Sequence, residues 1–184
     1  MIIRKATIND AKEIAKVHVD TWKSAYKDII CNDYLERLSY ENREKSWKSM
    51  LDNDMDLRII YVAEDENETI VGFISGGYEK KDTEIKNAEI YGFYVLKDYQ
   101  NNGIGKMLFK KILESFNKLN LQSVSLWALN DNYGGSKFYE SNGRIKVNEK
   151  EITIGNEKLK EIQYLFKNIK DIINIFLRKN NIVL

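Results

Sequence analysis

A strand-like segment that turns through asparagine and glycine into an amphipathic helix constrains the fold of this chain more than any other feature. Residues 89–95 are rich in aromatic and β-branched side chains, and residues 100–106 read Gln-Asn-Asn-Gly-Ile-Gly-Lys. Asn and Gly are the residue types that tolerate positive φ or a close approach of the backbone. From Gly103 to Leu119 apolar residues recur at helical spacing, which predicts one buried helix face. The sequence therefore predicts a strand, a tight loop and a helix in direct succession.

This junction is suited to binding an anion. A loop that enters a helix directs several free backbone N–H groups to one point, with the positive end of the helix dipole behind them. A pyrophosphate would fit such a cradle, although glycines at this spacing also occur in ordinary turns. Two familiar nucleotide motifs are excluded. A Walker loop requires glycine where the chain has Gln100, and a dinucleotide fingerprint requires a small residue where it has Leu108.

The remaining segments predict a mixed α/β single domain without repeats or linkers. Further strands are predicted at residues 2–5, 58–63, 70–76, 123–128, 143–147 and 159–166. Helices are predicted from a capping box at Thr7, and at residues 33–50 and 132–140. A last helix is expected within residues 168–184, because four apolar residues share one face there: Ile169, Ile172, Ile173 and Phe176. This stripe must be covered by the chain itself or by a second copy, and we favour a homodimer contact.

Scarce residue types exclude several chemistries. The 184 residues include one His, His18, and one Cys, Cys31, so neither an intrachain disulfide nor a zinc site of His and Cys ligands can form. A Gly-x-Ser-x-Gly nucleophile elbow does not occur in the sequence. Lys and Arg number 29 and Asp and Glu 28, so the net charge of +1 does not favour nucleic-acid binding. Without a long apolar run, we expect a cytoplasmic protein that has no signal peptide, no membrane contact and no bound metal.

Two motifs, in this order, resemble those of the GCN5-related N-acetyltransferase (GNAT) superfamily. The first is Gln100-x-x-Gly103-x-Gly105, which follows the strand predicted at residues 89–95. The second is the segment 132–143, which reads Asn-Tyr-Gly-Gly-Ser-Lys-Phe-Tyr-Glu-Ser-Asn-Gly. Asn101 stands where the family often has Gly, and Gly135 stands where it often has Ala. Neither departure removes a reacting group.

The resemblance spans roughly residues 2–167 and implies a fold and an activity. The fold is expected to be of the α/β (α+β) class, with a GNAT-type mixed, mostly antiparallel sheet flanked by helices. Residues 1–167 would form the acetyltransferase domain, and residues 168–184 a C-terminal helical extension. The implied activity is direct transfer of acetyl from the co-substrate acetyl-CoA to a primary amine of a small molecule or peptide. A non-catalytic acyl-CoA-binding module and an ATP-binding protein are the alternatives.

The resemblance also assigns residues to acetyl-CoA. Backbone amides at the end of the fourth strand would pair with the pantetheine arm, which Asn132 would also contact. The loop amides would hold the pyrophosphate. The complete set of candidates for binding acetyl-CoA is Phe93, Tyr94, Val95, Gln100, Asn101, Asn102, Gly103, Ile104, Gly105, Lys106 and Asn132.

Two proton transfers are assigned in the same way, to Tyr139 and Glu89. Tyr139 would protonate the departing CoA thiolate, and packing in the core is its alternative role. An alkylamine must lose a proton before it attacks, at a cost of roughly 4–5 kcal/mol at pH 7. Histone-type members of the family carry the general base at the position of Glu89, which strict alternation would place on one face with Phe93 and Val95. A solvated strand residue is the alternative for Glu89.

Ring side chains on the first helix form a candidate acceptor site. His18, Trp22 and Tyr26 recur at intervals of four, and the first helices flank the acceptor pocket in the family that the chain resembles. Core packing with a satisfied histidine is the alternative. Cys31 would be needed only for an acyl-cysteine route, which direct attack on the thioester avoids. A base used by another subgroup of the family is absent, because Trp127 occupies its position.

Overall fold

The computed structural model describes residues 1–52, 58–79, 87–140 and 145–180, with side chains described as far as residue 139 in the third range and residue 175 in the fourth. The strands within these ranges are β1 (Ile2–Lys5), β2 (Ile59–Glu64), β3 (Ile70–Tyr78), β4 (Ala88–Val95), β5 (Val124–Leu129), β6 (Ile145–Ile154) and β7 (Glu157–Phe166). The α-helices are α1 (Ala11–Ala25), α2 (Asn32–Glu36), α3 (Tyr40–Asp52), α4 (Ile104–Lys118), α5 (Tyr133–Glu140) and α6 (Ile169–Asn180). The predicted mixed α/β class is confirmed.

The strands form one sheet in the order β1-β2-β3-β4-β5-β7-β6. Neighbouring strands are antiparallel except for β4 and β5, which pair in parallel. Although both of these strands are described in full, their ladder runs only from the Ala88–Val124 pair to the Ile90–Leu126 pair. Beyond Ile90 the two strands separate, which opens a gap in the middle of the sheet.

Helices cover both faces of the sheet. On one face α4 packs through Leu108, Ile112 and Phe116, which are fully buried. On the other face Ile14 of α1 and Trp47 of α3 pack against β2 and β3. No helix in the described ranges is long and apolar enough to cross a membrane. The gap between β4 and β5 therefore lies between two helical layers.

The single helix predicted at residues 33–50 is two helices, α2 and α3. Ser39 lies between them and begins the second helix. Its side-chain oxygen accepts a hydrogen bond from the N–H of Asn42 at 3.2 Å, and its carbonyl accepts one from the N–H of Arg43 at 3.1 Å. Ser is among the residues that most favour such a helix start. Apolar periodicity alone missed this break because both segments have apolar faces that point inward.

The strand predicted at residues 143–147 is longer than its apolar residues suggested, since β6 continues to Ile154. Residues 146–151 are mostly charged and exposed, because β6 pairs only with β7 and lies at the edge of the sheet. Charged side chains are common on edge strands, where they discourage pairing with other chains. A hydrophobic pattern could not reveal such a strand.

The predicted C-terminal helix is α6, and it packs on its own chain. Ile169 and Ile172 are 1% and 5% exposed and belong to the core cluster that includes α4. Ile173 packs against this cluster in part, while the side chain of Phe176 lies outside the described residues. The described part of the apolar stripe is therefore covered within the chain. A homodimer contact through this stripe stays a prediction, but the need to cover the stripe no longer supports it.

Candidate functional site

The gap between β4 and β5 opens into a cavity of about 800 Å³. Its wall is built from α1, from β4 and the loop that follows it, from β5 and from α5. We call the part lined by Lys97, Gln100, Asn101, Gly103, Gly105 and Lys106 the loop wall. We call the part lined by Thr21, Ser24, Ala25, Tyr26 and Ile29 the α1 wall. The cavity thus joins the predicted anion cradle to the first helix.

The loop wall has the backbone geometry that the sequence predicted. Asn101 and Gly103 adopt positive φ angles of 63° and 80°, and a Cβ built on Gly103 would meet no described heavy atom within 4 Å. The side chain of Gln100 donates a hydrogen bond to the carbonyl of Val95 at 2.9 Å, which ties the loop to β4. The first hydrogen bond within α4 runs from the N–H of Met107 to the carbonyl of Gly103. The N–H groups of residues 104–106 come before it, so they have no acceptor within the helix and point out of its N-terminal end.

Two residues predicted in the loop do not line the cavity. The side chain of Asn102 lies 3.5 Å from the carbonyl of Tyr99, as a weak donor within the loop. Ile104 is 2% exposed and packs in the core. Their side chains therefore shape the loop, and only their backbone amides can serve as predicted.

The end of β4 presents unpaired backbone groups to the cavity. Leu96 donates its N–H to the carbonyl of Val71 on β3 at 2.9 Å. Because N–H groups of an antiparallel ladder alternate in direction, those of Phe93 and Val95 point away from β3, into the gap left by β5. These donors lie in the wall next to the loop, and their role towards an extended amide-containing ligand stays a prediction.

β4 contains a bulge in the middle of the site. Ser75 of β3 pairs with Gly92, and the next residue, Gly76, pairs with Ile90. Tyr91 is therefore the extra residue of β4 in this ladder. Its hydroxyl donates a hydrogen bond to the carbonyl of Tyr78 on β3 at 2.7 Å, and the residue is 37% exposed and lines the cavity. A bulge adds one residue to one strand and shifts the alternation of its side chains.

The bulge makes one expectation wrong: Glu89 does not share a face with Phe93 and Val95. It lies instead on the face of Tyr94, which α1 covers, while the ring of Phe93 faces α4 and stacks on Phe109 at 6.2 Å. Alternation failed as an argument because it assumed a regular strand. The face towards α1 is also the face of the predicted acceptor stripe, but Glu89 is not among the residues that line the cavity. Its general-base role stays a prediction.

Asn132 stands at the start of α5 and lines the cavity. Its Oδ1 accepts a hydrogen bond from the N–H of Gly135 at 3.0 Å, as a helix cap. A Cβ on Gly135 would lie 3.1 Å from Nδ2 of Asn132, so glycine relieves a tight contact beside this cap. Asn142 and Gly143, which complete the second motif, lie outside the described residues.

Tyr139 lies both in the core and at the cavity. It is 7% exposed, lines the cavity, and packs with its ring 5.3 Å from that of Tyr164 and 6.5 Å from that of Phe166. The neighbouring ring of Phe138 stands nearly perpendicular to it at 5.8 Å. Core packing and a role at the cavity are therefore compatible for this residue, and its acid role stays a prediction.

Hydroxyl groups of two tyrosines connect α1, β4 and α5. The indole N–H of Trp22 donates to the hydroxyl of Tyr94 at 3.1 Å. The hydroxyl of Tyr26 hydrogen-bonds with Tyr94 and with the side chain of Asn132. Burial raises the pKa of both tyrosines, so both hydroxyls are neutral at pH 7. The network holds the α1 wall against the residues predicted to bind the cofactor.

The predicted acceptor stripe is only partly at the cavity. Tyr26 lines it, whereas Trp22 and His18 are not among its lining residues. His18 stacks on Tyr94 at 4.9 Å and lies 6.0 Å from Trp47, and its Nδ1 is buried without a described hydrogen-bond partner. Burial, with a smaller effect of the positive charge of Arg43, lowers the pKa of His18 to about 3. His18 is therefore a neutral ring in an aromatic cluster.

The depressed pKa of His18 predicts a loss of stability in mild acid. Between the unfolded pKa of about 6.5 and the folded pKa of about 3, the unfolded chain binds a proton that the folded chain does not. Stability therefore falls as the pH decreases through this window, by about 2 kcal/mol from pH 7 to pH 5. Urea unfolding at both pH values measures it. His18→Phe keeps a ring and removes the only histidine, so its free energy of unfolding should change much less between pH 7 and pH 5. An equal change in wild type and His18→Phe would contradict the prediction.

Sequence reasoning missed several residues of the cavity wall, among them Thr21, Ser24 and Trp127. Thr21 and Ser24 lie on the α1 wall, and the 4% exposed Thr21 has a buried Oγ1 without a described hydrogen-bond partner. Their spacing of three along the helix could have marked a polar edge beside the ring stripe. Trp127 of β5 also lines the cavity, but only strand pairing places it there.

Among the described residues, no group of three or more His, Cys, Asp or Glu could hold a metal ion. Cys31 does not line the cavity. Its backbone N–H donates to Oε2 of Glu157 at 2.9 Å, which ties the start of α2 to the turn between β6 and β7. The charged side chains that line the cavity are those of Lys97, Lys106, Asp131 and Lys137.

Sequence comparison finds a family profile and relatives that match most of this chain. The profile of the Acetyltransferase (GNAT) family matches residues 21–143. The N-acetyltransferase YuaI of Bacillus subtilis is 34% identical over 160 residues, which are 87% of this chain and 89% of that protein. The spermidine N(1)-acetyltransferase of Thermoplasma acidophilum is 28% identical over 164 residues, 88% of this chain and 96% of that protein.

Solved structures show the same fold. The PaiA N-acetyltransferase of Thermoplasma acidophilum, crystallised with coenzyme A, superposes with a TM-score of 0.69 at 23% identity, over 90% of this chain and 98% of that one. The ribosomal-protein-alanine N-acetyltransferase of Brucella melitensis superposes with a TM-score of 0.70 at 19% identity, over 91% and 99% of the two chains. This chain therefore shares its overall fold with these two solved structures.

Proposed function

Because the chain belongs to the Acetyltransferase (GNAT) family, we propose that it transfers the acetyl group of acetyl-CoA to a primary amine by direct attack of the amine on the thioester. One observation carries this proposal. The cavity at the parted strands joins an amide cradle on the loop wall to a polar and aromatic α1 wall, so it can receive an extended anionic ligand and a second reactant together.

The loop wall and the end of β4 fit acetyl-CoA. The open space at Gly103, the free amides of residues 104–106 and the positive charges of Lys97 and Lys106 suit a pyrophosphate. The inward N–H groups of Phe93 and Val95 suit the amides of a pantetheine arm. Asn132 would meet the same arm while its Oδ1 caps α5. The other loop residues predicted to bind the cofactor would act through their backbone or through the shape of the loop. Tyr94 pairs with Phe73 of β3, so only its side chain could face the cofactor.

Replacement of Gly103 by valine is expected to weaken CoA binding by more than 10-fold, or about 1.4 kcal/mol, because a side chain would enter the cradle. Positive φ at this position also strains any other residue, at a cost of about 1–2 kcal/mol of stability. Gly155→Val is the matched control, since Gly155 has a φ of 62° in the turn between β6 and β7 and does not line the cavity. Calorimetric titration with CoA measures the affinities, and equal affinity in wild type and Gly103→Val would contradict the cradle.

Two side chains would move the protons of the reaction. Glu89 takes a proton from the ammonium form of the acceptor, directly or through a water molecule, and leaves a neutral amine. The amine nitrogen then bonds to the thioester carbon, the carbon–sulfur bond breaks, and the sulfur leaves with the electron pair. Tyr139 donates its proton to this thiolate as it departs. Glu89, which has passed the first proton to solvent, takes the second proton from the attacking nitrogen and releases it in turn, and Tyr139 regains a proton from solvent. The products are an N-acetylated amine and CoA.

The acceptor would be a small-molecule or peptide amine, and a linear polyamine is the first to test. The relative from Thermoplasma acidophilum that covers 88% of this chain is named for spermidine. The experiment is a panel of amines, including a polyamine, an amino acid and a peptide N-terminus, assayed for thiol release from acetyl-CoA. Amine-dependent release supports the transferase. CoA binding without release for any amine would instead indicate a non-catalytic acyl-CoA-binding module.

A further inference from the structure

An ammonium group occupies an aromatic and acidic site beside the cavity. The Nζ of Lys150 on β6 lies 4.1 Å above the ring of Trp127 and 3.2 Å from a carboxylate oxygen of Glu161 on β7. An indole face and a carboxylate are the two groups that proteins most often set around an alkylammonium ion. The site is assembled from three neighbouring strands, so its parts are held on a rigid surface.

This site adjoins the α1 wall. Trp127 lines the cavity itself. Glu161 pairs across the sheet with Leu129, which packs in one cluster with Tyr26 of the α1 wall. Burial raises the pKa of Tyr26 and of Tyr94, and the negative charge of Glu161 adds to the effect at both hydroxyls. The field of Glu161 therefore reaches the cavity where the acceptor is proposed to lie.

Lys150 is a weakly held occupant of the site. Its side chain is 47% exposed, whereas that of Glu161 is 21% exposed and that of Trp127 is half-buried. A cross-strand ion pair near solvent contributes little stability, because it restricts a long side chain and both charges are well hydrated. The lysine can therefore leave at low cost and point into solvent. The carboxylate and the indole cannot follow it, since their strands hold them.

Resting on the proposed function, we propose that Trp127 and Glu161 bind the second, non-reacting ammonium group of a diamine or polyamine acceptor, and that this group displaces Lys150. The displaced and the incoming cation have the same chemistry, so the exchange preserves the charge balance of the site. Lys150 then acts as a tethered competitor. An acceptor with a single amine has no second ammonium group to bind at this site. An acceptor with two amines therefore binds more tightly.

The test compares 1,4-diaminobutane with n-butylamine, which have equal chain length and differ by one ammonium group. KM is measured with the full chain, saturating acetyl-CoA and thiol release. We expect the wild type to favour the diamine by about 10-fold or more in KM, and Glu161→Gln to abolish this preference. Lys150→Met keeps contact with the ring and removes the competing charge, so it should lower the diamine KM by about threefold or more and leave that of butylamine unchanged.

Lys158→Met is the matched control. Lys158 forms a similar pair with Glu151 at 3.0 Å on the same two strands, but the register places it on the opposite face of the sheet from Lys150. The proposal is overturned if Lys150→Met changes KM no more than Lys158→Met does. It is also overturned if Glu161→Gln changes the KM of both amines by the same factor.

A binding measurement separates this proposal from the proposed function. If neither amine supports thiol release, direct transfer to a primary amine fails for these acceptors. Calorimetric titration of the CoA-bound protein with 1,4-diaminobutane then still decides the ammonium site. Binding that Glu161→Gln weakens and Lys150→Met strengthens supports the site. Absence of binding, or affinities that neither variant changes, refutes it.

Discussion

Tyr139→Phe is expected to lower kcat by about 100-fold or more and to leave CoA affinity unchanged. The substitution keeps the ring and its contacts with Tyr164 and Phe166, so the core should remain packed. It removes the hydroxyl that would protonate the departing thiolate. Stopped-time assays of thiol release and CoA titrations measure the two effects separately.

Tyr164→Phe is the matched control for this prediction. Tyr164 is 1% exposed, its ring lies 5.3 Å from that of Tyr139, and it does not line the cavity. This variant also removes one tyrosine hydroxyl from the aromatic cluster, but it leaves the cavity wall unchanged. We expect normal turnover from this variant and similar thermal unfolding of both. Wild-type kcat for Tyr139→Phe at every pH would assign that residue to packing alone.

Glu89→Gln is expected to lower kcat/KM at pH 7 by about 10²-fold and to regain activity as the pH rises. Without the carboxylate, only the fraction of acceptor that is already neutral can attack. That fraction rises tenfold per pH unit until it levels off near the amine pKa of about 10.4. Tyr139→Phe should show no such recovery, since its defect lies in thiolate departure.

A change of substrate provides the control for Glu89. An electron-poor alkylamine that is already neutral at pH 7 needs no base, so Glu89→Gln should use it nearly as well as the wild type. If the pH–rate profiles of Glu89→Gln and wild type superimpose for an ordinary alkylamine, Glu89 is not the base and solvent takes the proton.

The loop wall was predictable from sequence because its determinants are local. Asn101 and Gly103 adopt positive φ because few other residue types do so, and the apolar face of α4 follows from helical spacing alone. Local signals of this kind survive in any tertiary context. The family resemblance drew on this segment, on the second motif at residues 132–143 and on the order of the elements.

The α1 wall was less predictable because its determinants are not local. Glu89 was placed on the wrong face, since the bulge at Tyr91 arises from pairing with β3 and leaves no mark in the alternation of β4. Trp22 and His18 share the helical face of Tyr26 but contact Tyr94 instead of the cavity. Glu161 and Lys150 flank Trp127 only because β7 lies between β5 and β6. Such placements depend on strand order, which periodicity does not encode.

The strand order affects how the sheet can fold while the chain is being synthesised. Of the seven strands in this sheet, β7 emerges from the ribosome last, yet it occupies an interior place between β5 and β6. Until residue 166 has been made, the edge of β5 that bears Trp127 has no partner, and α6 cannot dock through the hydrogen bond from Ile169 to Gln122. Such an open, apolar edge favours aggregation of unfinished chains. The nascent protein therefore carries its loop wall early and stays exposed to misassembly until β7 has been released.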